Sequence, residues 1–216
     1  MGFLSSIYFP IFMIITIMAF LNLVNSSKQL INLNSIFCVI ILGLLAGLRV
    51  ESPDQVSYAK IFTEAPSLVN LYHDINKGNY DSTEYQWGFL FLFSTIKVLT
   101  NNETVMFLLL AFINVGLVAF SSVKLSPYPL LSIFIYYSWF YYSNLGALRH
   151  ATLHSFLLIT IVFIVYSKTL KSILLLLYTI SLHKVGLFAL SVYLVNKTRP
   201  QIFSYTIALF LVLIIR

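Results

Sequence analysis

Apolar residues along this chain fall into long runs that are separated by short polar breaks. An α-helix needs about 20 mostly apolar residues to cross the hydrocarbon core of a membrane, where its backbone must be hydrogen-bonded internally. The pattern therefore predicts an all-α fold, a polytopic transmembrane helix bundle of seven or eight spans that forms a single domain over 1–216. The predicted spans lie near residues 7–24, 30–48, 86–100, 104–122, 128–143, 150–167, 172–195 and 201–215.

Composition agrees with insertion into a membrane. Hydrophobic residues make up 59% of the chain, charged residues 9%, and the mean hydropathy is +0.91, whereas soluble domains carry about 25% charged residues. The first run has neither a basic segment before it nor a small-residue cleavage site after it, so we expect a retained helix. The last run reaches Arg216 as soon as it is long enough to cross, and we expect a truncated chain.

Cysteine and charge content exclude several kinds of site. Cys38 is the only cysteine, so neither an intramolecular disulfide nor a cysteine-ligated metal site can form. The net charge is +6, but the basic residues are scattered along the chain, which does not favour nucleic-acid binding. We expect no metal and no cofactor.

The connection over 49–85 is long, and it carries six of the seven acidic residues; the seventh is Glu103. Loops of this length in compact proteins are usually functional or disordered, and the aromatic residues here argue against disorder. We expect an ordered extracytoplasmic loop over one membrane face. A helix from Asp54 to Phe62 is predicted behind the SPD sequence, with Asp54 at its N-terminus.

The distribution of basic residues does not fix the orientation when every run crosses. With eight crossings, Arg and Lys are divided almost evenly between the two faces, and the cytoplasmic excess typical of membrane proteins is missing. The two halves of the chain agree on an orientation only if one run between 86 and 143 fails to cross. The shortest candidate is WGFLFLFSTIKVLTN, for which we predict a re-entrant segment.

Two groups of ionisable residues interrupt the later runs. Arg149, His150 and His154 begin the sixth run, where an arginine at a helix end can also extend its guanidinium to the lipid headgroups. The two histidines are spaced as a pair of metal ligands could be, but no carboxylate follows them. His183 and Lys184 lie near the middle of the seventh run, and ionisable residues at such depth usually face a cavity or a partner.

Short motifs in this order resemble the EpsG/Wzy-like family of bacterial polysaccharide polymerases over roughly 40–195. They are GLR at 47–49, Asp54, SYAKIF at 57–62, EYQWGFLFL at 84–92, ALRHATL at 147–153 and LHKVGLFAL at 182–190. Two positions depart from the family pattern, because His150 stands where a Gln is common and Val185-Gly186 stand where Ser-Ala is more usual.

The resemblance implies an enzyme of the bacterial cytoplasmic membrane that joins undecaprenyl-pyrophosphate-linked oligosaccharide repeat units at the outer face. Arginine and lysine donors would stabilise the charge that develops on the leaving pyrophosphate, and a carboxylate or imidazole would accept the proton of the attacking hydroxyl. The implied partners are the lipid-linked oligosaccharide, membrane lipids, a chain-length regulator and other assembly proteins, without nucleic acid. The implied substrate-binding residues are Arg49, Tyr58, Arg149 and Lys184, and the implied catalytic residues are Asp54, Glu84 and His183.

Two other function classes fit the same buried cations. A transporter or flippase of lipid-linked oligosaccharide would need the cations without a base, although internal repeats common in transporters are not evident in this sequence. A membrane acyltransferase that modifies a polysaccharide would use a histidine-centred site, for which His150 and His183 are candidates.

Overall fold

The computed structural model describes residues 2–24, 27–48, 54–76, 86–166 and 169–198, and within these ranges all regular secondary structure is helical. A 3₁₀ turn, Lys184–Leu187, precedes the last helix. The eleven α-helices of the described chain are α1 (Gly2–Val24), α2 (Lys28–Gly47), α3 (Gln55–Glu64), α4 (Leu71–Asn76), α5 (Trp87–Leu99), α6 (Glu103–Leu125), α7 (Pro129–Trp139), α8 (Tyr142–Leu145), α9 (Leu148–Val165), α10 (Thr169–Leu182) and α11 (Phe188–Thr198).

Of the described helices, three are long and apolar enough to cross a membrane, namely α2, α6 and α9. At 1.5 Å per residue the 23 residues of α6 extend about 35 Å, more than the roughly 30 Å of a hydrocarbon core. Shorter apolar helices cover Tyr8–Val24, Trp87–Lys97, Thr169–Leu182 and Val185–Leu194. The protein is therefore a multi-pass, all-helical membrane protein, while the count of seven or eight spans stays a prediction.

Helices α2 and α6 pack closely in antiparallel fashion. A Cβ atom added to Gly43 would lie 2.6 Å from the Phe112 ring, and one added to Gly47 would lie 2.7 Å from Leu108. Small residues allow two helix backbones to approach at such a crossing. Because Gly47 ends α2 and Leu108 lies near the start of α6, α6 begins at the membrane face where α2 ends.

Further contacts assign the remaining helix ends to the two faces. The Tyr137 hydroxyl donates to the Tyr8 carbonyl, and Leu130 N–H donates to the Asn22 side chain, so α1 and α7 are antiparallel. The Tyr166 hydroxyl donates to the Lys124 carbonyl at 3.0 Å, which places the ends of α6 and α9 together. We call the face with the end of α2 and the starts of α6 and α9 the loop face.

The opposite face carries Lys28, Lys124 and Lys171 at helix ends, and we call it the lysine face. The acidic residues Asp54, Glu64 and Glu103 all belong to segments at the loop face, and no acidic residue follows Glu103 in the sequence. An excess of lysine in short turns is typical of the cytoplasmic side. The loop face, however, carries Lys60, Lys97 and Arg149, so the basic residues alone do not fix the orientation, and an external loop face stays a prediction.

Helix α5 begins and ends on one side of the bundle. Since α2 ends and α6 begins at the loop face, the segment between them must start and finish there. Its 13 residues extend about 20 Å and lie along α3, with Phe89 against Tyr58 and Phe93 against Phe62. This register supports the re-entrant interpretation and argues against 86–100 as a complete span.

The C-terminal end of α5 is also attached to the loop. Lys97 Nζ donates to the carbonyls of Thr63 and Ala65 at 2.7 and 2.6 Å, and the buried Ser94 hydroxyl donates to the Pro66 carbonyl at 2.8 Å. The ammonium group thus satisfies carbonyls that α3 leaves open at its end. The two helices form one layer at the loop face.

The loop contains the predicted helix. The prediction of a helix from Asp54 to Phe62 is confirmed by α3, whose N-cap position is Asp54 and whose buried side chains are Tyr58 and Phe62. Within the described chain, the Asp54 side chain makes no capping hydrogen bond. Residues 49–53 and 77–85 of the predicted loop lie outside the described residues.

Two predicted spans are not continuous helices. The predicted span 128–143 is divided at Phe140, between α7 and the short α8. The predicted span 172–195 is divided at His183, whose backbone is extended (φ −168°, ψ 144°). Apolar composition alone did not distinguish one helix from two helices joined by a break, because both are equally hydrophobic. The predicted last span, 201–215, lies beyond the part of the chain that the structure describes.

The topology predicts which single cysteines an impermeant thiol reagent can reach. In a Cys38→Ala background, cysteines at Ser67 and at Asn101, which lies between α5 and α6, should both react in intact cells. A cysteine at Ser126, between α6 and α7, should react only after the membrane is opened. If α5 instead crosses the membrane, the Asn101 cysteine will be protected while the Ser67 and Ser126 cysteines react, and the assignment of faces is wrong.

Candidate functional site

The helix break at His183 is closed by the histidine's own side chain. Its Nδ1 accepts a hydrogen bond from the Val185 N–H at 3.2 Å, and the His183 carbonyl accepts from the Gly186 N–H at 2.7 Å. Gly186 then packs against α10, where an added Cβ would lie 2.9 Å from Ile180 Cα and closer still to the Thr179 carbonyl. The chain therefore folds back along the end of α10 after His183. Only glycine fits at position 186, because a larger side chain would overlap Thr179 and Ile180.

The start of α9 carries Arg149 and is capped by a residue of the loop. The N-cap residue Ala147 has no polar side-chain group to offer, so orphan N–H groups at this end need other acceptors. The Tyr58 hydroxyl accepts the Arg149 backbone N–H at 3.3 Å. Tyr58 is only 7% exposed, which makes this contact a fixed link between α3 and the helix that carries Arg149.

Three imidazole rings lie together beside Arg149. The ring centroids of His150 and His183 are 5.2 Å apart, and those of His150 and His154 are 6.4 Å apart. The Phe140 ring meets His154 edge to face at 5.6 Å. Residues from α9 and from the break after α10, which lie far apart in sequence, thus form one cluster at the loop face.

Helix α5 approaches α10 just before the break. An added Cβ at Gly88 would lie 2.8 Å from the Leu182 nitrogen and even closer to the Ser181 hydroxyl. The Tyr178 hydroxyl donates to the Gly88 carbonyl at 3.3 Å, and the Tyr178 ring packs on Phe156 with centroids 4.8 Å apart. The glycine of the EYQWGFLFL motif is therefore required for the contact that supports His183.

A buried polar network lies beneath Arg149. The side-chain Nδ2 of Asn114 donates to the side-chain Oδ1 of Asn144 at 3.4 Å and to the Thr152 hydroxyl at 3.3 Å, and Nδ2 of Asn144 donates to the Tyr136 hydroxyl. These four side chains are buried, and they tie α6, α7, α8 and α9 together. The sequence-based prediction missed this network, although an asparagine within the apolar run 104–122 was a signal for it.

A profile of the EpsG family matches residues 32–216. The chain belongs to the EpsG family. Comparisons with curated proteins and with solved structures gave no match. Membership of the EpsG family indicates a polymerase-type role in polysaccharide biosynthesis, which a membrane protein with this loop-face cluster can serve.

The EpsG-family chain brings together only some of the predicted site residues within its described part. Tyr58, Arg149 and His183 lie at the loop face as described above. Asp54 is exposed at the N-cap of α3, one turn before Tyr58. Lys184 follows His183 in the 3₁₀ turn, but its side chain lies outside what the structure describes, as do Arg49 and Glu84. The roles predicted for all seven residues stay predictions, and so does their convergence on a single cavity.

The Tyr58→Phe substitution tests the link between α3 and α9. Phenylalanine preserves the packing on Phe89 but removes the acceptor of the Arg149 N–H, which should cost about 1–3 kcal/mol when the group is left buried. We expect a lower melting temperature of the purified protein in detergent and less polymer in cells. Tyr72→Phe is the control, since Tyr72 is 74% exposed and should tolerate the change. Equal melting temperatures for both variants would show that the capping bond contributes nothing.

The Gly88→Ala substitution tests the approach of α5 to the break. The added methyl group would overlap the backbone at Leu182, and overpacking of this kind costs about 1–3 kcal/mol. We expect reduced thermal stability and reduced polymer. Gly116→Ala, with nothing in the described chain within 4 Å of the added Cβ, should instead leave the melting temperature unchanged or raise it through helix propensity. A Gly88→Ala protein as stable as Gly116→Ala would contradict the close contact.

Proposed function

We propose that this protein is a polysaccharide polymerase of the bacterial cytoplasmic membrane. It joins undecaprenyl-pyrophosphate-linked oligosaccharide repeat units at the outer face. The observation that supports this most directly is the cluster at the loop face, where Arg149 and His150 begin α9 beside the helix break at His183. Family membership supports the same role.

The chemistry of the transfer explains why cationic donors would be needed there. When a sugar leaves a lipid pyrophosphate, negative charge develops on the pyrophosphate oxygens, and preorganised donors at that position stabilise the transition state. The guanidinium of Arg149 offers a planar fork that suits phosphate oxygens, and Arg149 lies in the first turn of α9, where the helix dipole also favours an anion. In this proposal, Arg49 and Lys184 bind the same pyrophosphate, and Tyr58 borders the site.

The helix break gives the substrate a place within the membrane thickness. Backbone that is not helical is tolerated at membrane depth only where it is buried in protein or lines a water-filled cavity. The reversal at His183 creates such a place, next to the start of another helix. Asp54, Glu84 and His183 are the candidates that could accept the proton of the attacking hydroxyl.

The loop face is external in this proposal, which matches the location of the exported substrate. The lysine face, with Lys28, Lys124 and Lys171, would then contact the anionic cytoplasmic leaflet. A chain-length regulator would contact the growing polymer at the loop face.

The Arg149→Lys substitution tests the proposal, because lysine keeps the positive charge but lacks the bidentate fork. We expect the polymer to decrease at least about 100-fold, in line with the loss of one transition-state donor, while the protein level stays normal. Single repeat units on lipid should accumulate at the outer face of the membrane. Lys171→Ala, on the lysine face and exposed, should leave polymer formation unchanged.

The location and state of the glycan distinguish the alternatives. Repeat units trapped inside the cell would indicate a flippase, and polymer of normal length without an acyl modification would indicate an acyltransferase. Normal polymer in the Arg149→Lys strain would mean that Arg149 only anchors its helix in the headgroups.

A further inference from the structure

Helix α5 is apolar on all sides, although only one side packs against the protein. The buried side includes Phe89 and Phe93, whose rings contact α3. A helix that is hydrophobic all round normally lies in a protein core or in a membrane. The opposite side of α5 is a row of five exposed residues at helical spacing, which we call the α5 stripe: Trp87, Phe91, Thr95, Val98 and Leu99. The described part of the chain leaves this stripe uncovered.

The α5 stripe offers no free polar group to a partner. Its four large apolar side chains are 48–75% exposed, and a patch of this kind rarely faces water unless it is an interaction site. Its one polar side chain is Thr95, whose hydroxyl donates to the Phe91 carbonyl at 2.8 Å. The only charged residue of α5 is Lys97, and its ammonium group is bonded to the carbonyls of Thr63 and Ala65. This surface fits hydrocarbon, which offers no hydrogen bonds.

Helix α3, in the same layer, has an outer side of the opposite kind. It runs beside α5 in the same direction, as two pairs of aromatic rings show. Of its five exposed residues only Val56 is apolar, and Lys60 and Glu64 form an exposed ion pair at 3.8 Å. Charged side chains are stable in water but costly in hydrocarbon. The outer side of α3 therefore fits water, while that of α5 does not.

The α5 stripe continues onto the outer side of α10. The rings of Phe91 and Tyr178 meet edge to face, with centroids 6.3 Å apart. Helix α10 runs from the lysine face to the loop face, and its exposed apolar residues follow helical spacing: Leu170, Ile173, Leu174 and Leu177. One apolar surface therefore extends from a helix that connects the two membrane faces to the α5 stripe.

We propose that the layer of α3 and α5 is half-immersed in the leaflet at the loop face. The acyl chains of that leaflet lie against the α5 stripe, and water lies against α3. Hydrocarbon covers the apolar side chains without leaving a polar group unsatisfied, whereas amphipathic structures at a membrane surface keep their charged side in water. The proposal goes beyond the polymerase function and does not depend on it, because it is argued from apolar surface and charge alone.

Immersion of α5 sets the depth of the candidate functional site. The layer is joined to that site by the bond from the Arg149 N–H to the Tyr58 hydroxyl and by the close approach of Gly88 to Leu182, the residue before the helix break. Trp87 begins the α5 stripe next to Gly88, and an indole is typical of the headgroup region. The start of α9 and the helix break are thereby held near the headgroups, where the phosphate of a lipid lies.

Fluorescence quenching in vesicles tests which medium each helix faces. Trp87 and Trp139 are the only tryptophans, so replacing both by Phe gives a background for Val98→Trp on α5 and for Val56→Trp on α3. Each protein is reconstituted in phosphatidylcholine that carries bromine on its acyl chains, or in ordinary phosphatidylcholine with iodide on both sides. We expect Val98→Trp to lose fluorescence to the brominated lipid and to keep it in iodide, and Val56→Trp to show the reverse.

Three results of this measurement overturn the proposal. Quenching of Val98→Trp by iodide alone means that the α5 stripe faces water. If neither quencher reaches Val98→Trp, a protein segment or a second copy of the chain covers the stripe. Quenching of Val56→Trp by the brominated lipid alone means that the whole layer is immersed.

A matched pair of polar substitutions measures the same difference as stability. Val98 and Val56 are both exposed valines, one on each helix of the layer, and glutamine has no charge that the helix dipoles could favour or oppose. In vesicles, Val98→Gln places an amide in hydrocarbon and should lower the melting temperature by about 3 °C or more. Val56→Gln should stay at the wild-type value or slightly above it, because glutamine has the higher helix propensity. Equal melting temperatures for the two variants would show that both positions face the same medium and overturn the proposal.

Discussion

Every peptide group within a membrane must find its hydrogen bond inside the protein, and this constraint explains most of the unusual contacts in this chain. An uninterrupted helix meets it automatically, but the chain between α10 and α11 leaves the helix at His183. The His183 side chain and the His183 carbonyl supply acceptors to the two N–H groups of Val185 and Gly186. A break at this depth therefore requires a residue with an acceptor, and the imidazole of His183 provides it.

Elsewhere in the described chain, tyrosine hydroxyls form hydrogen bonds with backbone groups of neighbouring helices. Within the described residues, four of them donate to carbonyls of a different helix or its end, and Tyr58 instead accepts from the start of α9. A phenol brings a large apolar ring and one polar atom to the same place, which suits an interface that is dry but must join backbone groups. The four donors and their acceptors are Tyr137 to Tyr8, Tyr141 to Leu42, Tyr166 to Lys124 and Tyr178 to Gly88.

The location of the candidate site depends on the failure of α5 to cross. If α5 crossed, Lys97 would lie on the face opposite Tyr58, yet its ammonium group is bonded to the carbonyls at the end of the helix that contains Tyr58. The layer formed by α3 and α5 covers the loop face and brings Tyr58 to Arg149 and Gly88 to Leu182. The positions of the loop helix α3, of the start of α9 and of the helix break at His183 are therefore coupled through these contacts.

The sequence by itself determined the class of the protein, its family and the helix α3, because hydropathy, short motifs and the SPD cap signal are local properties. It also identified Arg149 at the start of one apolar run and His183 near the middle of another, and it gave 87–101 as the shortest candidate between 86 and 143 for a segment that does not cross. The tertiary structure alone decided that His183 interrupts a helix, that His150 meets it, and that Asn114, Asn144 and Thr152 form a network beneath Arg149. The hydrophobic pattern records only how much apolar surface a segment has, whereas which nitrogen accepts a bond, and from which helix, depends on contacts between segments that are far apart along the chain.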